Sequence, residues 1–180
     1  MLIQSTRIFT GRIISLDIDR VRFPDGSEGD LEMVRHPGAS AIVPFLSDPA
    51  GDDPQVLLIR QYRHAAEGYL FEVPAGRLDP GETPEQCARR ELREETGCIA
   101  ERMEHLMTTY TTPGFTDEKI HLYMAVGLTQ AGEAELEADE FVEPHTVTLS
   151  RALAMIQSGE IEDAKSALAL LYAAGFRAAR

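Results

Sequence analysis

The 180-residue chain carries 17 basic and 30 acidic side chains, which gives a formal net charge of −13 at pH 7. This acidic balance argues against nucleic acid or an anionic membrane as a partner, but it allows a phosphorylated small molecule whose charge is screened by metal ions or clustered arginines. No apolar run is long enough to span a bilayer, no secretory pattern opens the chain, and two cysteines are too few for a disulfide framework, so we expect a cytoplasmic protein with reduced thiols.

The first 38 residues are predicted to form a small separate sheet. From about residue 6 to residue 33, apolar and polar residues alternate as they do in half-buried strands. The segment 23–27, FPDGS, has the composition of a turn, and a return strand follows it. An antiparallel sheet of two or three strands is too small to be stable alone. We therefore expect region 1–38 to pack on the main domain or on a second copy of the chain.

Residues 39–180 are predicted to form one layered domain. Near-continuous apolar runs of strand length follow residue 39, and a broad apolar stripe marks the last helix. Strands with a helix among them and helices at the end indicate an α/β or α+β domain. In chain order we predict strands at 41–46 and 55–59, the helix described next, strands near 104–110 and 120–126, a short strand ending at Val147, and helices at about 150–158 and 163–174.

The central helix has explicit signals at both ends. Thr83 is a good N-cap, Pro84 suits the first helical position, and Gln86 completes a capping box with Thr83. Gly97 stands where a left-handed residue commonly ends a helix. These signals predict a short helix between Thr83 and Gly97.

Three carboxylates crowd one face of this helix. Glu91, Glu94 and Glu95 follow the spacing i, i+3, i+4, which places them side by side. Adjacent anions repel, but a hard divalent cation such as magnesium prefers several oxygen ligands and would offset that cost. The alternative is a solvated face balanced by neighbouring arginines, with Arg90 and Glu94 as an i, i+4 pair.

The spacing of the whole segment favours the cation site. Residues 76–98, GRLDPGETPEQCARRELREETGC, fit the pattern G-x5-E-x7-R-E-U-x-E-E-x-G-U at every position, where U is apolar. This pattern resembles the Nudix box, the signature of the Nudix hydrolase superfamily. The resemblance implies a mixed β-sheet sandwiched between helices, with the N-terminal antiparallel sheet as an extension. It also implies hydrolysis of a nucleoside diphosphate linked to another moiety, with Mg2+ as cofactor and Mn2+ as a possible substitute.

Segments outside the box resemble one branch of that superfamily, the ADP-ribose pyrophosphatases and related nucleotide-sugar hydrolases. They are RQYRHAAEGYLFEVPAGRLDPGE before and into the box, TTPGFTDEK after it, and GEIEDAKSALALL near the end of the chain. The expected reaction converts ADP-ribose, or a similar nucleoside diphosphate sugar, into a nucleoside monophosphate and a sugar phosphate. The alternatives are a GDP-mannose or broad-specificity nucleotide-sugar pyrophosphatase and, from another class, a non-catalytic nucleotide-sensing module.

The resemblance also implies roles for individual residues of the box. Glu91 and Glu95 are expected to bind the metal directly and Glu94 to support them, while Arg90 orients the carboxylates. Arg90 and Glu94 therefore count as catalytic candidates. The full set of expected metal ligands is Glu91, Glu94, Glu95, Glu82 and the backbone carbonyl of Ala75.

Substrate contacts are expected from two other segments. Arg63 would bind the diphosphate or the terminal ribose, although a plain surface position on a strand is the alternative. Tyr62 beside it could stack on a base, but we expect it to pack in the core. The remaining expected contacts lie in the loop after the box: Gly114, Phe115, Thr116 and Glu118, with a loop-anchoring role as the alternative for Phe115.

The general base is expected on the acidic stretch 132–140, which has the composition of an exposed loop. The resemblance implies a glutamate on this loop; Glu140 is the first candidate by its distance from the final strand and helices, with Glu137 and Asp139 as alternatives, and a merely solvated loop is the competing interpretation. A base on a loop would let loop closure exclude water after the substrate arrives. The resemblance further implies a homodimer in which the N-terminal strands are packed or exchanged between subunits.

Overall fold

The computed structural model describes residues 1–136 and 141–177. Its elements are β1 Leu2–Thr10, β2 Ser15–Arg22, β3 Glu28–Arg35, β4 Ala39–Pro44, β5 Gln55–Arg63, β6 Gly68–Glu72, β7 Ala75–Arg77, α1 Pro84–Thr96, β8 Cys98–Tyr110, β9 Lys119–Gln130, β10 Val142–Thr148, α2 Leu149–Ser158 and α3 Ala164–Arg177.

Three sheets organise these strands. The N-terminal sheet has the antiparallel order β1-β2-β3, a second sheet has the order β10-β5-β6, and a third has the order β7-β4-β9-β8. In the third sheet β4 and β9 run parallel while the other neighbours are antiparallel. The expected mixed sheet in an α+β domain is therefore confirmed.

The four-stranded sheet separates two apolar cores. Successive side chains of a strand point to opposite faces, and β4 follows this rule. Ala41 and Val43 pack with residues of α2 and α3, whereas Ile42 packs with Ala88 and Leu92 of α1. Helices thus cover both faces of the sheet, as expected, and α1 is held rigidly on one of them.

The N-terminal sheet is the least covered part of the described chain. It has the three antiparallel strands that the alternation predicted, although β1 begins at Leu2 rather than near residue 6. Every residue of β1 is exposed, and the exposed fractions of Ile8 and Phe9 reach 57% and 56%. A sheet with so much apolar surface in water is consistent with a further partner for this region.

Several further element bounds differ from the sequence predictions, and strands β5 and β9 run on to Arg63 and Gln130. Strand β8 begins at Cys98, because an edge strand with one exposed side can carry charged residues such as Glu101 and Arg102 that hide its pattern. Helix α3 continues beyond 174 to Arg177. Within 1–136 and 141–177, none of the helices has the length and apolar character that a bilayer span requires.

Candidate active site

Helix α1 has the caps that the sequence predicts. The Thr83 hydroxyl accepts a hydrogen bond from the backbone N–H of Gln86, and the Gln86 side chain accepts one from the N–H of Thr83 at 2.8 Å. Gly97 ends the helix with φ +70°. The capping box fixes the first turn, so the register of the carboxylates that follow is fixed as well.

Two of the three helix carboxylates are buried. The exposed fraction is 7% for Glu91 and 1% for Glu95, while Glu94 is partly exposed. Oε2 of Glu95 accepts a hydrogen bond of 2.9 Å from the N–H of Ala75, which joins α1 to β7. The solvated-face alternative is therefore wrong for Glu91 and Glu95.

Arg90 connects the carboxylates to one another. Its Nε and Nη2 each donate to Glu82 at 2.9 Å, and its Nη1 donates to Glu91 at 2.6 Å and to Glu94 at 3.0 Å. The predicted i, i+4 pair is thus present, within a larger network. The hydrogen bond from Arg90 lowers the pKa of Glu82, and the same bond is the largest influence that raises the pKa of Arg90. The guanidinium favours the ionised form of Glu82, and it neutralises part of the charge of the three carboxylates that it contacts.

The donor set fits a hard divalent cation by its chemistry. Glu91, Glu94, Glu95 and the Ala75 carbonyl offer only oxygen atoms, which magnesium prefers. Over the two described ranges, however, no group of three or more histidine, cysteine, aspartate or glutamate side chains stands ready to enclose an ion. Arg90 occupies the space among the carboxylates, so a cation would compete with its guanidinium for Glu91 and Glu94.

An open pocket of about 420 Å³ is lined by Glu91 and Glu94 of this set and by the Ala75 residue. Its walls come from the ends of β5 and β7, from α1, and from the turn between β1 and β2. Four arginines line it, Arg12, Arg63, Arg77 and Arg90. Clustered guanidinium groups next to carboxylates allow a polyanion to bind to a protein whose net charge is strongly negative.

Arg63 lies in this pocket in a fixed orientation. Its Nε and Nη2 donate to the two carboxylate oxygens of Glu72 at 2.7 and 2.8 Å. The Arg63 side chain is 38% exposed and lines the pocket beside the carboxylates, so its contact with substrate stays a prediction and the surface-strand alternative stays open. The expectation that Tyr62 packs in the core is wrong, since Tyr62 is 42% exposed and lines the same pocket.

Comparison with known proteins assigns the chain to a family. The model of the NUDIX domain family matches residues 36–169 of the chain. The chain belongs to the NUDIX family. The ADP-ribose pyrophosphatase of Bacillus subtilis (strain 168) is 40% identical over 171 residues, which cover 94% of this chain and 90% of that protein. The methanol dehydrogenase activator of Bacillus methanolicus is 42% identical with the same coverage.

A solved structure shows the same architecture. The crystal structure of an ADP compounds hydrolase superposes with a TM-score of 0.81 at 22% identity, covering 99% of this chain and 94% of that one. At this identity the likeness concerns the Nudix fold alone. The N-terminal sheet is part of the likeness, because almost the whole chain is covered.

The predicted substrate loop of this Nudix chain lies away from the pocket. None of Gly114, Phe115, Thr116 and Glu118 lines it. The loop binds the N-terminal sheet instead: the N–H of Val34 in β3 donates to the Phe115 carbonyl at 2.7 Å, and His36 lies 3.3 Å from Glu118. Phe115 is 52% exposed and Thr116 is buried. Within one chain, Phe115 and Thr116 connect the Nudix domain to β3, and Glu118 contacts His36 just after it.

The candidates for the general base, Glu137, Asp139 and Glu140, lie outside the described residues. The segment leading to them is exposed, as predicted, and its start is fixed to α1. The N–H of Glu135 donates to the Glu94 carbonyl at 2.8 Å, and the Glu135 carboxylate pairs with Arg93 at 2.8 Å. The acidic segment therefore starts beside the last turn of the carboxylate helix.

Sequence reasoning missed several residues that build the pocket. The sequence around Arg12 and Arg77 does not indicate a binding role, because single arginines in a turn and in a short strand are common. Glu72 did give a signal, since it interrupts the apolar run YLFEV and is 1% exposed. A charged residue in a buried strand requires a partner and is a reason to search for one.

Proposed function

We propose that this protein hydrolyses the diphosphate bond of ADP-ribose or of a similar nucleoside diphosphate sugar, with Mg2+ as cofactor and Mn2+ as a possible substitute. One observation carries the proposal: Glu91 and Glu94 of α1 and four arginines line the same pocket. The Nudix family and the similarity to a pyrophosphatase that acts on ADP-ribose support it. The products would be a nucleoside monophosphate and a sugar phosphate.

Separate groups of residues bind the diphosphate and the metal ion in the proposed reaction. Arg12, Arg63 and Arg77 bind and orient the diphosphate, which needs positive charge on the side opposite the carboxylates. Glu91 and Glu95, helped by Glu94 and the Ala75 carbonyl, would hold the ion, while Glu82 anchors Arg90. Bound magnesium would draw charge from the phosphate oxygens and lower the pKa of the attacking water.

A carboxylate on the acidic loop is our proposed general base. We place this role on Glu140, with Glu137 and Asp139 as the alternatives. The anchoring of Glu135 to Glu94 supports this choice, because it starts the loop at the rim of the pocket. Replacing each of the three by glutamine separately tests the role, and the variant of the true base is expected to lose the most activity.

We also propose a homodimer in which region 1–38 is the dimerisation element and residues 39–180 form the hydrolase domain. The exposed apolar residues Leu2, Ile3, Ile8 and Phe9 support it, because monomers rarely leave such a strand in water. In a dimer the sheet and the attached loop with Gly114, Phe115, Thr116 and Glu118 would contact the partner's substrate. Light scattering at micromolar concentration tests the assembly, and a monomeric mass would refute it.

We place the protein in the cytoplasm, where its two free cysteines stay reduced.

A substrate panel tests the activity. We expect turnover of ADP-ribose to exceed that of GDP-mannose, UDP-sugars and NADH in the presence of magnesium. A preference for GDP-mannose would favour the broader nucleotide-sugar alternative, and a preference for a dinucleoside polyphosphate or a nucleoside triphosphate would overturn both. Binding without turnover of any compound would favour the sensing module.

A further inference from the structure

The start of helix α3 is fixed to the strand that leads into the pocket. Asp163 accepts hydrogen bonds from the N–H of Ser166 and from Nζ of Lys165, both at 2.9 Å. The Ser166 hydroxyl in turn accepts one from the N–H of Val73 at 2.8 Å. The first turn of α3 therefore lies directly against the end of β6, shortly before Ala75.

Lys165 and Arg63 share one buried carboxylate. Lys165 forms an ion pair with Oε2 of Glu72, the oxygen that also accepts from Nη2 of Arg63. The side chain of Glu72 is 1% exposed and that of Lys165 is 16% exposed. Glu72 thus has one cation on the helix side and one on the pocket side.

A gain in stability alone does not explain why Glu72 is buried between Arg63 and Lys165. The cost of removing charges from water often exceeds their attraction, so a well-packed apolar side chain would usually do better. The arrangement has a different consequence at the pocket. With Asp163, which also pairs with Lys165, the four side chains carry no net charge, so the consequence is one of position: Lys165 holds the carboxylate to which Arg63 is bound.

We propose that Lys165 is a positioning residue for Arg63: by binding the Glu72 carboxylate from the side of α3, it fixes the orientation in which Arg63 meets a diphosphate. This inference rests on the proposed function of the pocket. The two bonds to Glu72 use Nε and Nη2 of the guanidinium, which leaves the Nη1 edge directed away from Glu72. With Glu72 fixed from the α3 side, the Arg63 plane has one orientation.

The ionisation of Glu72 agrees with this role. Burial raises its pKa, but the hydrogen bond from Arg63 and the charges of Lys165 and Arg63 outweigh burial, so the pKa is lowered. Glu72 therefore stays charged at neutral pH.

A double-mutant cycle tests the proposal on the full chain. The variants are Lys165→Met, Arg63→Gln and the two combined, with Lys165→Arg as the conservative change. Arg151→Met is the matched control, because Arg151 forms a 2.6 Å ion pair with Glu160 at an exposed position outside the pocket. With ADP-ribose and magnesium, we expect Lys165→Met to lower kcat/KM about 10- to 100-fold, the scale for a misplaced binding group. Lys165→Arg should restore much of it, and Arg151→Met should have no effect.

The double variant shows whether Lys165 acts through Arg63. In the Arg63→Gln background, adding Lys165→Met should lower kcat/KM no further, because Lys165 acts only through Arg63. An equal loss in both backgrounds, or no loss in either, would overturn the proposal. Should Lys165→Met fail to fold, Lys165→Ala takes its place under the same criteria, since it also removes the group that holds Glu72.

A crystal structure of the Lys165 variant separates this inference from the proposed function. If the wild-type protein does not hydrolyse ADP-ribose, the proposed function has failed, and the orientation of Arg63 still tests the positioning. Loss of the paired bonds between Arg63 and Glu72 in the variant would support it. Unchanged bonds would refute it.

Discussion

The carboxylate of Glu91 occupies the space that a side chain on Gly76 would need. A Cβ added to Gly76 would lie 1.9 Å from Oε1 and 2.5 Å from Oε2 of Glu91. Gly76 does not have a positive φ, so glycine is needed here for close approach and not for a turn. Strand β7 and helix α1 can therefore place the Ala75 carbonyl and the Glu91 carboxylate at one site.

Replacing Gly76 by alanine should displace Glu91. We expect a loss of stability of about 1–3 kcal/mol from overpacking, together with a fall in kcat, because the carboxylate moves off the site. Gly132→Ala is the control, since a Cβ there meets no atom within 4 Å. Denaturant unfolding and steady-state kinetics measure both effects, and a Gly76→Ala protein with normal kcat would show that the position of Glu91 does not matter.

Neutralising the buried helix carboxylates should stop turnover. Glu91→Gln and Glu95→Gln keep the shape of each side chain but remove its charge, so we expect kcat to fall roughly 10²–10³-fold or more. Glu85→Gln is the control on the same helix, because Glu85 is exposed and pairs with Arg89. If both variants retain wild-type kcat at saturating magnesium, these carboxylates are not the metal site.

Removing Arg90 should make stability depend on magnesium. In Arg90→Met the carboxylates of Glu82, Glu91 and Glu94 lose their shared guanidinium, at a cost of roughly 2 kcal/mol in the presence of a chelator. Added magnesium should recover part of this loss, because an ion bound to the folded state stabilises it. Thermal unfolding with EDTA and with magnesium, beside Arg89→Met as control, measures the difference. The same magnesium-dependent shift in Tm for wild type and Arg90→Met would contradict the competition between ion and guanidinium.

Glu72 should make folding sensitive to acid. Its pKa is lowered in the folded state from its ordinary value of 4.5, so it binds a proton more readily in the unfolded chain. Its stabilising contribution is then complete above pH 4.5 and is lost as the pH falls through the lowered folded value. In Glu72→Gln, the free energy of unfolding should decrease less steeply below pH 4.5 than in the wild type. Urea unfolding across this pH range checks the prediction, and parallel curves for the two proteins would disprove it.

The features that could be predicted from the sequence depend on residues that are close together in the chain. The caps at Thr83 and Gly97 and the crowding of Glu91, Glu94 and Glu95 depend on residues within one or a few turns, so spacing alone predicts them. The strand alternation likewise predicts the N-terminal sheet. Motif resemblance adds the sandwich of helices around a mixed sheet, which periodicity cannot distinguish from other layered folds.

Contacts between distant residues could not be predicted in the same way. Lys165 and Glu72 are 93 positions apart, and no periodicity links them. The loop with Phe115 was predicted to contact substrate, but its hydrogen bonds to β3 depend on how the N-terminal sheet docks. Most residues that precede Tyr62 on β5 are buried, so the apolar pattern of the strand does not predict an exposed side chain here. The exposure of Tyr62 follows from its position at the pocket.

The most direct test of the metal and substrate site is a crystal structure with Mn2+ and the α,β-methylene analogue of ADP-ribose, which cannot be cleaved at the bridging position. We expect anomalous density at about 2.1 Å from oxygens of Glu91 and Glu95, the distance for octahedral hard ions, with the diphosphate group against Arg63. Ligand bound elsewhere, with no ion at these carboxylates, would contradict the account.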